Sequence, residues 1–471
     1  MDYWITTGDG PADIMAHYAD ATGHCPTMPS WATGLWQSKL RYKTQSELLT
    51  VARGYRDRGI PLAVIVADYF HWTRLGEWRF DRTEWPDPRA MVDELASMGT
   101  KLMVSVWPSV STVAENYEAM RDEGYLGGTE QGSSVHHLFP DKGSFGGTLG
   151  VSFYDPTSPA ARDFVWDAVK TGYYDSGIRV FWLDACEPEI YPEQFGNLRF
   201  FAGPGREVAN IYPREHARGF YEHMRAEGEN EIINLVRSAW AGSQRFGAAL
   251  WSGDIPPTFE SLQQQVPAGL NVAMSGIPWW TTDIGGFAGG DPDSQDYREL
   301  IVRWFQYAVF CPLLRMHGHR EPREHFGAGH SGGPNEIWSY GAEAYEVLSA
   351  HAALRERLRP YIDAQMRETS RTGIPTMRPL FVDFPTDTNC WSIDDEFLFG
   401  PDLLVAPVLE LGARARAVYL PAGAWWTHAA SGEIHPGGRT AQVLAPLNSI
   451  PVFVRDGADV GEAFLGTERL T

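Results

Sequence analysis

The feature that most constrains this chain is a rhythm of short apolar, β-branched runs, many of them preceded by a stretch of helical character. Trp31 to Ser38, Pro61 to Asp68, Lys101 to Pro108, Ile178 to Asp184, Ile232 to Arg237, Ala248 to Asp254, Val272 to Asp283 and Pro312 to Gly318 read as strands. Helices are expected at Gln45 to Arg58, Pro88 to Met98, Ala160 to Asp175, Arg214 to Glu227 and Asp296 to Phe310. Strands alternating with helices pair in parallel, and eight is the number that closes a (β/α) barrel. A doubly wound sheet would want a glycine-rich phosphate turn after its first strand, and no GxGxxG or GxxxxGK[ST] stands there.

The expected fold is therefore α/β: a (β/α)8 TIM barrel over residues 31–374, after a lead-in of residues 1–30. Helix-like segments at Ala342 to Leu358 and Tyr361 to Thr372 close the barrel region. Residues 375–471 change texture, with short apolar runs at 379–382, 397–400, 403–408, 417–420 and 450–454 between Pro/Gly turns. They read as a small C-terminal β-sandwich domain. Long loops at 124–150 and 186–210 follow the third and fourth strands, on the face where barrels carry their binding loops.

Polar groups stand at the strand ends. Asp68, Asp184, Arg237, Asp254, Asp283 and His317 each terminate or follow a predicted strand. The run Ile178 to Glu189 is the most pointed case, a buried strand ending in Asp184, Glu187 and Glu189. Taken alone it reads equally well as a surface strand end with solvated acids. Six polar groups on one barrel face are harder to dismiss, because a barrel mouth collects catalytic groups from several strands. Convergent carboxylates without a metal motif point to glycoside chemistry, which needs one ionised carboxylate and one protonated carboxyl.

Bulk composition narrows the partners. A formal net charge of −21 with no offsetting Lys/Arg cluster excludes nucleic acid and is compatible with a neutral sugar. The 18 Trp include candidate platforms for the apolar faces of sugar rings, although most are expected in the core. Four scattered Cys without a CxxC pair fit a reducing compartment, and no apolar run approaches transmembrane length. Without a leader-like N-terminus either, the expectation is a cytoplasmic protein with no membrane partner.

Four ordered motifs carry a family resemblance: Trp182-Leu183-Asp184-Ala185-Cys186-Glu187, Arg237-Ser238-Ala239 running to Trp251-Ser252-Gly253-Asp254, Trp280-Thr281-Thr282-Asp283-Ile284-Gly285-Gly286-Phe287, and Arg315-Met316-His317-Gly318. With these the chain resembles glycoside hydrolase family 31, the retaining α-glucosidases and α-xylosidases, from about Tyr3 into the C-terminal domain. The resemblance implies Asp184 as nucleophile and Asp254 as general acid/base. It implies that Asp68, Arg237, Asp283 and His317 bind sugar hydroxyls or frame the site, that Trp182, Trp279 and Trp280 wall the pocket, and that Glu187 supports the catalytic groups. Arg237 beside Asp184 is expected to favour the ionised nucleophile, and Trp251 to desolvate Asp254. No cofactor is implied.

After Asp68 come Tyr69-Phe70-His71-Trp72, aromatic where α-glucosidases of the family carry smaller residues. Crowding by Phe70 near the sugar C6 would exclude a hydroxymethyl group. Ser105-Val106-Trp107-Pro108 also resembles the α-xylosidase side. The expected activity is therefore an exo-acting α-xylosidase on small oligosaccharides, with α-glucosidase or α-transglucosylase as the alternative. A catalytically weak carbohydrate-binding barrel is a different-class alternative, disfavoured because both Asp184 and Asp254 are present.

Metal chemistry is disfavoured too: His317-Gly318-His319 with His325, and His136-His137, lack ligand spacing, and HExxH is absent. Cys186 has no evident base partner and reads as a small buried residue. The family usually carries an N-terminal β-domain that lends a loop to the pocket, of which residues 1–30 read as a remnant. Formation of a homo-oligomer is one way to supply that wall, decided by a mass measurement in solution.

Overall fold

In the computed structural model of the protein, residues 3–142, 148–188, 195–324 and 329–464 are described. Two residues singled out above, Glu189 and His325, lie outside them. The barrel strands are β1 (Leu35–Gln37), β2 (Val64–Ala67), β3 (Lys101–Val106), β4 (Val180–Leu183), β5 (Asn234–Val236), β6 (Ala248–Trp251), β7 (Trp280–Thr281) and β8 (Leu314–Met316). They form one eight-stranded sheet in the order β7-β6-β5-β4-β3-β2-β1-β8. Neighbours follow chain order and the last strand returns beside the first, which makes a nearly closed (β/α)8 barrel. Parallel ladders join β2 to β3, β3 to β4, β4 to β5 and β5 to β6. Burial on both faces explains why these strands read as continuous apolar runs rather than alternating ones.

Helix starts are written locally. At α1 (Gln45–Asp57), Thr44 Oγ1 accepts from Glu47 N–H (3.2 Å) while Glu47 Oε2 accepts from Lys43 N–H (2.8 Å), a capping box shifted by one residue. At α2 (Pro88–Ser97), Asp87 Oδ1 caps Ala90 N–H (3.0 Å) and Pro88 supplies the first helical φ. Ser158 does the same for α3 (Pro159–Gly172). The remaining barrel helices are α4 (Tyr212–Ala226), α5 (Phe259–Met274), α6 (Gln295–Val309) and α7 (Ala342–Thr372).

Two readings around the barrel helices change. The run expected to be a strand from Val272 begins inside α5, and only Trp280–Thr281 is strand. The two helix-like segments around Pro360 are the single helix α7, with Leu358 and Ile362 buried on either side of the proline. Burial of a continuous face outweighs the hydrogen bond that a proline removes.

The chain divides into two compact units, one of Met1–Trp36, Ser252–Glu321 and Pro334–Thr471, the other of Gln37–Trp251 and Pro322–Gly333. Within the first, the C-terminal region pairs a six-stranded antiparallel sheet with a two-stranded ribbon of Ala415–Leu420 and Arg439–Leu444. Leu398, Leu404 and Phe453 from the sheet meet Val418, Leu420 and Ala441 from the ribbon in one core. Pro379 to Val382, read as a strand, is instead a 3₁₀ turn over Leu380–Val382. Arg303 of α6 is fully buried and donates to the carbonyls of Ala413 (3.1 Å), Ala445 (2.8 Å), Pro446 (3.1 Å) and Ser449 (2.9 Å). Gln306, one turn on, donates to Leu447 O (2.8 Å).

Candidate active site

In the unit built on β2 to β6, the nucleophile candidate is delivered by strand register. Leu183 pairs with Val106, and Asp184 N–H extends that ladder by donating to Val106 O (3.1 Å). The chain then turns sharply: Ala185 has φ +51, and its N–H donates to Asp184 Oδ1 (2.8 Å). That bond fixes one carboxylate oxygen. From the end of β5, Arg237 Nη1 lies 3.7 Å from the same oxygen. Glu187 grips the other edge of the guanidinium in a bidentate pair, Oε1 to Nε at 2.8 Å and Oε2 to Nη2 at 3.0 Å. The sequence reading expects Arg237 against Asp184; here it is shared, with Glu187 holding the fork. Cys186 is buried and its thiol is pushed up to about 12, so it is no nucleophile at neutral pH.

Aromatic rings line the ends of β2 and β3. Asp68 is buried at the tip of β2, its Oδ1 accepting from Tyr69 N–H (2.7 Å). Phe70 is fully buried with φ +59, and its ring centroid lies 4.4 Å from that of Tyr69. Tyr69 stacks on Trp107 at 5.5 Å, with an interplanar angle of 16°. Behind them His71 donates from Nδ1 to Asp68 O (2.8 Å) and accepts at Nε2 from Tyr173 (2.7 Å). Burial pushes His71 down to about 3, so it stays neutral and structural. Trp182 and Trp251 meet edge to face at 5.3 Å and 82°.

The other unit carries the remaining candidates. Asp254 follows Gly253, which has φ +76, in a turn closed by Ile255 N–H donating to Gly253 O (3.0 Å). It is exposed, where the sequence reading expects it shielded by Trp251. The turn is braced by the loop after β7: Phe287 N–H donates to Ile255 O (2.8 Å), and a Cβ at Gly286 (φ +78) would stand 2.5 Å from Pro257 Cα. Asp283 is fully buried in an ion pair with the fully buried Arg315. His317 is buried and stacked on Phe287 at 5.5 Å and 18°. Burial and the nearby cations Arg315 and Arg320 hold its imidazole well below the usual range, hence neutral.

Arg320, which sequence reasoning passed over, donates to the carbonyls of Ile284 (2.7 Å), Gly286 (2.7 Å) and His317 (3.0 Å). One guanidinium thus sets the loops bearing Asp283 and His317. Trp279 and Trp280 are both buried. Trp280 is committed to the helix layer, its indole N–H donating to Tyr307 Oη (3.2 Å) and packing over Gly269. Arg320 was hidden, and Arg315, though part of a motif, had no assigned partner, because an arginine in an apolar run gives no sequence signal of which carbonyl or carboxylate it will meet. Among the described residues no cluster of three His, Cys, Asp or Glu side chains is disposed to hold a metal, and no helix is long and apolar enough to cross a membrane.

Asp184 thus stands at the tip of the fourth barrel strand, and Asp254 follows the sixth. The model of the glycosyl hydrolases family 31 TIM-barrel domain matches residues 25–365, and that of the family's C-terminal domain matches residues 373–459. The chain belongs to glycosyl hydrolase family 31. It is 38% identical over 465 residues to an alpha-xylosidase of Saccharolobus solfataricus, covering 97% of this chain and 59% of that protein. It is 55% identical over 323 residues to an uncharacterized family 31 glucosidase, ORF2, of Pseudescherichia vulneris, covering 69% of this chain and 60% of that one. The crystal structure of a GH31 alpha-xylosidase from a soil metagenome, complexed with xylose, superposes with a TM-score of 0.94 at 50% identity, covering 98% of this chain and 69% of that one. The chain thus spans about three fifths of the length of these two curated relatives.

Proposed function

We propose that this chain carries the catalytic portion of a retaining α-xylosidase that releases xylose from small α-xylosides. The observation that carries the reading is the Asp184 carboxylate, pinned by Ala185 N–H and standing 3.7 Å from an Arg237 that Glu187 clamps. A carboxylate so held is pre-aimed for attack beside a fixed guanidinium. In the first step Asp184 attacks the anomeric carbon. The glycosidic C–O bond breaks, and Asp254 gives its proton to the departing oxygen. Water then displaces Asp184 from the glycosyl-enzyme while Asp254 takes a proton from it, so the two inversions leave α-xylose.

Asp68, Asp283 and His317 are assigned to the sugar hydroxyls, His317 as a neutral imidazole. The alpha-xylosidase relatives support xylose, and so do the packed rings of Tyr69, Phe70 and Trp107, whose bulk is assigned to crowding a hydroxymethyl group at C6. The substrates are small oligosaccharides or simple α-glycosides.

The test assays p-nitrophenyl α-xyloside and α-glucoside in parallel, with wild type beside Asp184→Ala and Asp254→Ala. A clear xyloside preference abolished by Asp184→Ala is expected. A large preference for the glucoside would replace the substrate assignment, and turnover that survives Asp184→Ala would overturn the mechanism.

A further inference from the structure

Between β3 and α3 the chain leaves the barrel and builds a small antiparallel sheet. Its central strand Leu149–Phe153 pairs on one side with Ser109–Ser111 and on the other with His137–Phe139. This excursion brings one more ring to the aromatic row described above. Phe139 lies 5.2 Å from Trp107, tilted by 60°, so Phe139, Trp107, Tyr69 and Phe70 form an unbroken series of rings. Register locates the series, since Trp107 follows the residue whose carbonyl accepts from Asp184 N–H. Tyr69 and Phe70 are the first residues after Asp68. The rings at the barrel end are buried; Phe139, at the far end, keeps part of its surface exposed.

The ring's carrier is anchored with unusual care. Asp141, two residues on, is fully buried, and its carboxylate accepts from Leu75 N–H (3.0 Å) and Lys142 N–H (2.8 Å). Trp72 Nε1–H approaches the same group at 3.4 Å. Lys142 pairs with Asp81 (3.0 Å) and Glu84 (2.5 Å), and Arg74 donates to Lys142 O. The hairpin end is therefore bolted to the loop that follows β2. A buried carboxylate satisfied by three donors is an expensive way to hold a surface loop. It is economical if the loop must present one ring at a fixed place.

We infer that Phe139 is the stacking platform for the leaving group, a neutral sugar ring on the aglycone side of the scissile bond, and that Asp141 is its positioning residue. The inference rests on the glycosidase reading of the same site. An apolar sugar face laid on Phe139 would continue the row that starts at the ends of β2 and β3, next to the strand that carries Asp184. Removing the ring then costs binding energy only for substrates whose leaving group is large enough to reach it.

The experiment compares kcat/KM on isoprimeverose, whose leaving group is a sugar, with that on α-xylosyl fluoride, whose leaving group is a single atom. For Phe139→Ala the ratio of the two values is expected to fall about tenfold, as for truncation of a central contact residue. Phe139→Tyr keeps the platform and should restore the ratio. Asp141→Asn, isosteric but with one acceptor replaced by a donor, should lower the same ratio while melting within a few degrees of wild type. A ratio unchanged in Phe139→Ala overturns the platform, whether both values fall together or neither does. A ratio unchanged in Asp141→Asn overturns the positioning role. Wild type inactive on both xylosyl substrates would instead defeat the glycosidase reading, which separates the two failures.

Discussion

Glu187→Gln is the substitution that most directly probes how the nucleophile is tuned. The wild-type carboxylate takes two bonds from Arg237, at 2.8 and 3.0 Å, and leaves Nη1 facing Asp184 Oδ1 at 3.7 Å. A glutamine keeps one of those acceptors. Its amide NH2 replaces the other and faces a guanidinium that can only donate. One charge-assisted bond is lost, worth about 1.5–3 kcal/mol in a shielded setting. The Glu187 side chain is 33% exposed, so the lower end applies, and the fork is freed to rotate away from Asp184. A loss of about 1.5 kcal/mol in transition-state stabilisation is roughly a tenfold fall in kcat/KM.

The assay is steady-state turnover of p-nitrophenyl α-xyloside, run as a cycle with Arg237→Ala. Because Glu187 acts through Arg237, its substitution in the Arg237→Ala background should cost less than about twofold. A Glu187→Gln enzyme as fast as wild type would refute the reasoning. So would a cost of equal size in both backgrounds, which would mean that Glu187 acts on the reaction by some other route.

Three further outcomes follow from buried groups away from Asp184. Glu396 is buried with its carboxyl pushed up to about 8, so the stability it contributes is present below about 4.5 and lost as pH rises through 8. Glu396→Gln should therefore raise the Tm relative to wild type by more at pH 8 than at pH 5; an equal shift at both would discard the burial account. His71 and His216 are pushed down to about 3 and His351 to about 4, so in that range the unfolded chain binds protons that the native one refuses. Native stability should fall as pH drops from about 6.5 toward 4, and a Tm flat between pH 7 and 5 would contradict it. Gly286→Ala would force a left-handed alanine and drive its Cβ into the Pro256–Pro257 backbone. Destabilisation by about 2 kcal/mol or more is expected, with loss of turnover as the Asp254 turn shifts; an unfolding curve that superposes on wild type would exclude that bracing role.

The barrel was legible because its signals are local and repeated. Val64–Ala67, Lys101–Val106 and Val180–Leu183 are buried at nearly every position, and helix starts such as Thr44 and Asp87 announce themselves. Legibility failed where tertiary burial overrode a local cue. Pro360 reads as a break, yet α7 runs through it. Pro267 likewise sits inside α5, a helix absent from the sequence reading, which has a strand beginning at Val272 within its last turn. In the C-terminal region Trp425–His428 and Arg439–Leu444 escaped because their alternation is masked by Gly and Pro neighbours.

For the site, the motif positions were visible but their partners were not. Nothing in the sequence says that Arg237 is held by Glu187, that Asp283 is neutralised by Arg315, or that Trp280 turns to Tyr307. Those are facts of three-dimensional company, set by residues far apart in the chain.

The buried Arg303 has a consequence for how such a chain can be divided. Its four carbonyl partners all lie between residues 413 and 449, while the arginine itself belongs to a barrel helix. Burial already depresses its pKa to about 10, so a cut between the two family segments would leave a buried charge with Gln306 and Glu299 of its own helix but without its four carbonyl acceptors. The barrel's exposed face there would also gain the apolar surface now covered. Neither segment alone completes the set of groups around that guanidinium, so each should lose stability when separated from the other.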